Sequence, residues 1–231
     1  MLLAHGGYEH SLKNPHLWRG PILRMWPFAA AAATAVPSAA VGLMRYRYRG
    51  WNDAGDAALD LRAVLDELPF ERVVLVGHSM GGRAVVAAGD HPRVAGVLGL
   101  APWLPTDEPL RPLRPPVMFA HGNDDRVTSP QGSLAYANRL RAAGTPVSLV
   151  LLARETHPLL RRPADWDTLV ATFTQHALGG LANDCAARDE DRAWPDSGDA
   201  GSAVAAVARI ALVRLRMPVR ERFRLARRAG S

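Results

Sequence analysis

Residues 72–88 read RVVLVGHSMGGRAVVAA. The segment opens with a short run of valine and leucine, which is typical of a buried strand, and continues after the glycines as an alanine- and valine-rich helix. Between the two, residues 77–81 fit the pattern G-x-S-x-G, in which a serine occupies a strained turn. The flanking glycines are needed because a Cβ atom at either position would collide with neighbouring elements. The pattern therefore predicts a nucleophilic Ser79 at the carboxyl end of a parallel sheet.

Strand and helix patterns alternate along the rest of the chain, as expected for a mostly parallel α/β sheet. We predict strands at residues 2–4, 41–48, 72–76, 94–100, 117–120 and 147–152. We predict helices over residues 21–35, from Asp56, over 83–88 and 129–143, and behind Asp165 as far as residues 179–180. The expected fold is a three-layer α/β/α arrangement around a sheet of about six strands.

A change in composition marks the predicted end of the domain near residue 180. Residues 181–201 are acidic, polar and small, which indicates a flexible linker. Residues 202–231 form an arginine-rich tail whose apolar residues at helical spacing favour an amphipathic helix. A mobile tail, or one that packs on its own domain, is the alternative.

The charge of the chain is concentrated in that tail. Residues 201–231 contain eight arginines against one acidic residue, Glu221, so this segment has a net charge of +7. Residues 1–200 have a net charge of −1, and the two together give the +6 of the whole chain. A nearly neutral main body gives no reason to expect nucleic acid as a partner. A weak contact with a membrane surface or with another protein is expected only through the basic tail.

The remaining composition favours a single domain in a reducing compartment. Cys185 is the only cysteine, so no disulfide can form within the chain, and the start shows no secretion signal. Residues 28–44 are apolar but alanine-rich and interrupted by Pro37, which argues against a membrane span. The expected location is the cytoplasm.

Gly-His-Ser-Met-Gly-Gly after a valine-rich strand resembles the α/β-hydrolase superfamily of serine esterases and lipases, without a lid domain. In this family the nucleophile, the acid and the histidine follow one another along the chain. His-Gly-Asn-Asp-Asp-Arg-Val at residues 121–127 resembles the family's acid loop and assigns the acid to Asp125, and His157 follows the last strand. Asp124 and Asp107 stay open as alternative acids.

The resemblance also implies an oxyanion hole. Its donors would be the backbone N–H of Met80 and that of Gly7, in the turn His5-Gly6-Gly7, with Tyr8 as an alternative to Gly7. Family members have two further strands before this turn, so the sheet is expected to be short at one edge. The chain would then be a minimal hydrolase, or one truncated at its start.

The expected function is a carboxylesterase-like serine hydrolase that cleaves an ester or thioester of a small-molecule acyl substrate. The alternatives are an inactive relative that serves as a binding module, and an acyltransferase or cofactor-free perhydrolase. No glycine pattern indicates a nucleotide, and no histidine or cysteine spacing indicates a metal, so neither a cofactor nor a metal is expected.

Five further residues near these motifs carry weaker predictions. His78 is interpreted as a packing residue, and His5 and His121 as residues that hold loops. Trp103 and Leu104 follow a predicted strand and would either line an acyl pocket or belong to the core.

Overall fold

The computed structural model describes residues 1–16, 19–114, 116–179 and 210–213. A single parallel sheet has the strand order β6-β5-β4-β3-β1-β2-β7. Its strands are β1 (Leu2–Ala4), β2 (Val41–Met44), β3 (Val73–His78), β4 (Val94–Leu100), β5 (Val117–Gly122), β6 (Ser148–Leu152) and β7 (Ile210–Val213). Six of these, β1 to β6, correspond to the six predicted strands, and the predicted fold class is confirmed.

Helices cover both faces of the sheet. They are α1 (Gly20–Leu23), α2 (Met25–Ala35), α3 (Asp56–Glu67), α4 (Met80–Ala87), α5 (Pro130–Ala142) and α6 (Pro163–Gly179). Side chains of α3, α4 and α5 share one buried apolar cluster with alternate strand residues such as Leu75. The neighbouring Val76 belongs to a second cluster with α2 and α6. Because successive side chains of β3 point to opposite faces of the sheet, the strand contributes to both apolar cores. The sheet and the helices on its two faces form three layers.

The turn between β3 and α4 has the geometry of a nucleophile elbow. Ser79 has φ 57° and ψ −119°, a strained conformation for a residue with a side chain. A Cβ atom on Gly77 would lie 2.7 Å from the nitrogen of Gly82, and one on Gly81 would lie 2.7 Å from the carbonyl oxygen of His5. The glycines therefore allow α4 to turn back closely against β3 and β1, as their pattern predicts.

Two predicted elements are shorter in the structure. The strand predicted over residues 41–48 ends at Met44, because the backbone N–H of Arg47 donates to Asp60 Oδ2 at 2.7 Å instead of to a neighbouring strand. The helix predicted over residues 21–35 is interrupted at Arg24. Pro27 has no N–H to donate to the carbonyl four residues earlier, which explains the interruption.

The seventh strand comes from the segment predicted as a tail or an amphipathic helix. Ile210–Val213 is a strand that pairs in parallel with β2, Ile210 opposite Val41 and Val213 opposite Met44. Four consecutive apolar residues suit the otherwise open edge of β2 better than an amphipathic helix. The described sheet is therefore longer at this edge than expected. The predicted linker at residues 181–201 and the rest of the tail lie outside the described residues.

Within the described ranges, no helix is both long enough and apolar enough to span a membrane.

Candidate active site

The three predicted catalytic residues lie at the carboxyl ends of the parallel strands. Ser79 follows β3, Asp125 follows β5 and His157 follows β6, so each is placed by the carboxyl end of a parallel strand. Ligands bind in this position in open α/β sheets.

The three side chains form a continuous hydrogen-bonded row. His157 Nε2 lies 3.0 Å from Ser79 Oγ, and His157 Nδ1 lies 2.7 Å from Asp125 Oδ2. The carboxylate of Asp125 is fully buried, whereas the imidazole of His157 keeps 14% of its surface exposed. With Nδ1–H donating to the carboxylate, Nε2 is free to accept the serine proton.

Several donors converge on the carboxylate of Asp125. Its Oδ1 accepts the backbone N–H groups of Val127 at 2.8 Å and Thr128 at 3.0 Å. Its Oδ2 accepts the Thr128 hydroxyl at 3.0 Å and lies 3.3 Å from His121 Nε2, besides the bond to His157. Burial alone would raise the pKa of Asp125, but the hydrogen bonds from His121, His157, Thr128 and Val127 outweigh burial and lower it. The carboxylate is therefore ionised at neutral pH.

The two alternative acids lie elsewhere. The side chain of Asp124 is 49% exposed and its carboxylate lies 3.9 Å from Arg161 Nη1. Asp107 is exposed on the connection after β4. In the described part of the chain, Asp125 is the only one of the three acids whose carboxylate is hydrogen-bonded to His157, which favours the predicted assignment.

Thr128 is a member of the cluster that the sequence analysis missed. Its buried hydroxyl lies 3.1 Å from His157 Nδ1 and 3.1 Å from the carbonyl oxygen of Ala101. His121 completes the cluster, since its Nδ1 lies 2.8 Å from Ser133 Oγ on α5. His121 thus holds a loop, as predicted, but does so through the acid itself. A threonine three residues after an aspartate is a turn pattern that could have drawn attention to Thr128.

His78 also contacts the row. Its Nε2–H donates to the backbone carbonyl of His157 at 2.9 Å, and the two imidazole centroids are 4.8 Å apart. Burial, together with the neighbouring His157, lowers the pKa of His78 to about 3. The residue interpreted as packing is therefore a neutral support for the loop that carries His157.

The loop after β6 has a second support. The carboxylate of the fully buried Glu155 accepts the N–H groups of Thr156 at 2.8 Å and Arg162 at 2.8 Å and the indole N–H of Trp166 at 3.0 Å. This carboxylate ties the histidine loop to the start of α6. Glu155 has no signal in the sequence for this role, because an isolated glutamate in a loop usually faces solvent.

The residues of the two predicted oxyanion donors, Gly7 and Met80, lie in contact. Met80 is the first residue of α4, where N–H groups have no partner within the helix. A Cβ atom at position 7 would lie 2.6 Å from Met80 Sδ, so only glycine lets the β1 turn approach this closely. The N–H of Tyr8 already donates to the carbonyl of Arg49 at 2.9 Å, which favours Gly7 over Tyr8 as the second donor.

Trp103 and Leu104, the two candidate pocket residues, differ in burial. Leu104 is buried in the core, whereas the side chain of Trp103 is only partly buried. The backbone N–H of Trp103 donates to the carbonyl of Ser79 at 3.0 Å. Among the described residues, no group of three or more histidine, cysteine or acidic side chains is arranged to hold a metal ion.

A sheet of this topology, with an elbow serine at its carboxyl edge, defines the class of α/β hydrolases. The model of the alpha/beta hydrolase family matches residues 1–227, and the chain belongs to this family. No curated protein matches the chain significantly.

Solved structures share the fold at low sequence identity. An uncharacterized protein from Bacillus cereus has a TM-score of 0.55 at 16% identity. The match covers 77% of this chain and 58% of the Bacillus protein. A putative hydrolase from Pectobacterium atrosepticum has a TM-score of 0.54 at 19% identity, over 76% of this chain and 91% of the other. A carboxylesterase from Bacillus cereus has a TM-score of 0.53 at 18% identity, over 76% and 87%.

Proposed function

We propose that this chain is a serine hydrolase that cleaves a carboxylic ester or thioester through an acyl-enzyme on Ser79. The observation that carries the proposal is the row from Ser79 Oγ through His157 to Asp125, with hydrogen bonds of 3.0 and 2.7 Å. A serine hydroxyl is a weak nucleophile until an adjacent base removes its proton, and this row supplies the base and the group that orients it.

In the first half of the reaction, Ser79 Oγ attacks the acyl carbonyl carbon while its proton passes to His157 Nε2. The carbonyl oxygen becomes an oxyanion, for which the N–H groups of Gly7 and Met80 are the proposed donors. When the carbonyl re-forms, the bond to the alcohol or thiol breaks and His157 returns the proton to the leaving group. The acyl group then remains on Ser79 as an ester.

The second half repeats these steps with water. His157 Nε2 accepts a proton from water as the water oxygen attacks the acyl carbon, and the collapse of the intermediate returns that proton to Ser79 Oγ. Asp125, kept ionised by its donors, holds Nδ1–H in place and stabilises the imidazolium in both halves. The products are a carboxylic acid and an alcohol or thiol.

The choice of an ester or thioester bond has weaker support than the reaction class. One of the structures with the same fold is named a carboxylesterase, at 18% identity. Alcohols and thiols are also better leaving groups than amines, so esters and thioesters need less help from a general acid than amides do.

Covalent labelling tests the proposal directly. A fluorophosphonate probe should label the wild-type protein, and mass spectrometry should find the label on the peptide that contains Ser79. Ser79→Ala and His157→Ala should both abolish labelling. Ser38→Ala, which removes an exposed serine in the turn before β2, is the matched control and should label like the wild type.

Each other result has a definite meaning. A folded wild-type protein that does not label would contradict the proposal and support a binding module with the same fold. Labelling at a different serine would contradict the assignment of Ser79. If hydrolysis is replaced by transfer when alcohols or peroxide compete with water, product analysis would identify an acyltransferase or a perhydrolase instead.

A further inference from the structure

The buried imidazole of His5 makes a hydrogen bond that the proposed mechanism does not use. His5 directly follows β1, is 3% exposed, and its Nδ1 lies 2.7 Å from the carbonyl oxygen of Gly6. A carbonyl oxygen only accepts hydrogen bonds, so Nδ1 must carry the proton between the two atoms. Burial lowers the pKa of His5 to about 4, so the ring is neutral at neutral pH and has no second proton.

Packing holds the imidazole of His5 in place. Its centroid lies 4.7 Å from that of the Tyr46 ring, and the two planes meet at 61°, an edge-to-face contact. Tyr46 is itself 1% exposed, and a close-packed interior leaves its ring no space to move aside. His5 Nε2 is buried and has no partner among the described residues. The bond to Gly6 is therefore the polar contact that this ring makes in the described part of the chain.

This hydrogen bond fixes a peptide group next to the nucleophile. A Cβ atom on Gly6 would lie 3.3 Å from Ser79 Cβ, so the turn after β1 lies against the elbow. The carbonyl of Gly6 and the N–H of Gly7 belong to the same peptide group, and in a trans peptide they point in opposite directions. Because the carbonyl points at the buried ring of His5, the N–H of Gly7 points away from that ring. No hydrogen bond among the described residues uses this N–H.

The peptide group between Gly6 and Gly7 would be free to rotate without this bond. Rotation of a peptide plane changes ψ of the residue before it and φ of the residue after it, and glycine accepts a wide range of both angles. Half a turn would exchange the directions of the Gly6 carbonyl and the Gly7 N–H. A developing oxyanion would then meet an acceptor where it needs a donor.

We infer that His5 is a positioning residue for the oxyanion hole: its Nδ1–H holds the Gly6 carbonyl so that the N–H of Gly7 is directed at the oxyanion. The inference rests on the proposed function, because it concerns the transition state of the same reaction. His5 acts through the peptide group and does not touch the substrate. Since the oxyanion forms only during the reaction, loss of this support should lower kcat and leave KM nearly unchanged.

The first test separates the donor of His5 from the volume of its ring. His5→Leu removes the donor and keeps a buried apolar group, whereas His5→Asn keeps an N–H close to the position of Nδ1. With nitrophenyl acetate we expect His5→Leu to lower kcat about 100-fold with KM within about twofold of the wild type, and His5→Asn to stay within about tenfold of the wild-type kcat. His91→Leu is the matched control, since His91 is a buried histidine between α4 and β4, and it should behave like the wild type.

The second test observes the oxyanion itself. Trifluoroacetone with ¹³C at its carbonyl carbon should add to Ser79 Oγ, with the serine proton passing to His157 Nε2 and the carbonyl oxygen becoming an alkoxide. Hydrogen bonds to an anion lower the pKa of its conjugate acid, so an intact oxyanion hole keeps this adduct ionised to lower pH. The ¹³C signal of the adduct should therefore titrate at a higher pH in His5→Leu than in the wild type and in His5→Asn.

A measurement on the wild type does not depend on whether any variant folds. At neutral pH, ¹⁵N NMR should find the proton of His5 on Nδ1, and a proton on Nε2 would overturn the inference. Unchanged kcat and adduct titration in a folded His5→Leu, or equal losses in His5→Leu and His5→Asn, would overturn it as well. Each of these results leaves the serine hydrolase intact, whereas absence of fluorophosphonate labelling in the folded wild type would overturn the proposed function.

Discussion

Asp125→Asn changes one atom of the site, and the structure defines what that atom must do. In the wild type all five hydrogen-bonding neighbours of the carboxylate act as donors. An asparagine has one oxygen and one NH₂ group, so only one side can still accept hydrogen bonds. If the oxygen stays on the Oδ1 side, towards Val127 and Thr128, the NH₂ group faces His157.

The opposite orientation is unfavourable. It would point the NH₂ group at two backbone N–H groups and leave both unsatisfied, at a cost of about 1–3 kcal/mol each. In the favoured orientation, Nδ1 of His157 must become an acceptor, which puts the imidazole proton on Nε2, facing Ser79. This tautomer cannot accept the serine proton, so we expect the labelling rate to fall by about 10⁴, or about 5 kcal/mol of barrier.

The assay is the pseudo-first-order rate of fluorophosphonate labelling, measured beside a urea unfolding curve for each variant. Asp124→Asn is the control, because that carboxylate is half exposed and only an ion pair with Arg161 is lost. It should label within about twofold of the wild type and change the unfolding free energy by no more than about 0.5 kcal/mol. A larger loss of labelling in Asp124→Asn than in Asp125→Asn would refute the assignment of the acid.

Four further predictions concern the supports of the site. Thr128→Val removes one hydroxyl at nearly constant shape and should slow labelling about tenfold, whereas Thr128→Ser should restore most of the rate. His78→Leu leaves the carbonyl of His157 without its donor and should also slow labelling about tenfold; His78→Gln, which can still donate, should recover, and equal losses in both would contradict the role of the hydrogen bond. Gly7→Ala places a Cβ atom in a clash with the backbone carbonyl oxygen of Arg49, which cannot move as a side chain can, and should cost about 1–3 kcal/mol of stability together with labelling; wild-type unfolding and labelling would rule out the close contact. Burial lowers the pKa of His5 to about 4 and of His78 to about 3, so below pH 6.5 the unfolded chain takes up protons that the native state does not. The free energy of unfolding should therefore fall by up to about 1.4 kcal/mol per pH unit for each histidine between pH 6.5 and about 4. Urea midpoints that do not change over this window would contradict neutral buried imidazoles.

The nucleophile was predictable because its signal is local. Strand, tight turn and helix follow one another within residues 72–88, and each part has its own residue pattern. Asp125 and His157 have no such local signal. They are 32 residues apart, and His157 is 78 residues from Ser79, so only the order along the chain and the resemblance to a family connected them.

Other parts were not predictable because their roles depend on distant partners. Thr128 and Glu155 are of residue types that usually face solvent in loops, and only the fold shows that both are buried against charged or backbone groups. Trp51, Arg83 and Trp103 contact one another although they lie in three separate segments of the chain. β7 was missed because four apolar residues in an arginine-rich segment match the pattern of an amphipathic helix as well as that of a short strand.

The end of β4 connects the nucleophile to the acid loop, although it supplies none of the predicted groups. β3 and β5 are two strands apart, about 10 Å, so their loops cannot touch without a bridge. The carbonyl of Leu100 accepts the N–H of Ser79 at 3.1 Å, and the N–H of Ala101 donates to the carbonyl of Ala120 at 2.7 Å. The carbonyl oxygen of Ala101 lies 3.1 Å from the Thr128 hydroxyl. Ala101 makes these contacts with φ at 42°, a strained conformation that costs about 1–3 kcal/mol and that its hydrogen bonds must offset. The spacing between Ser79 and Asp125, which His157 must span from β6, is therefore set by backbone hydrogen bonds of the strand between them.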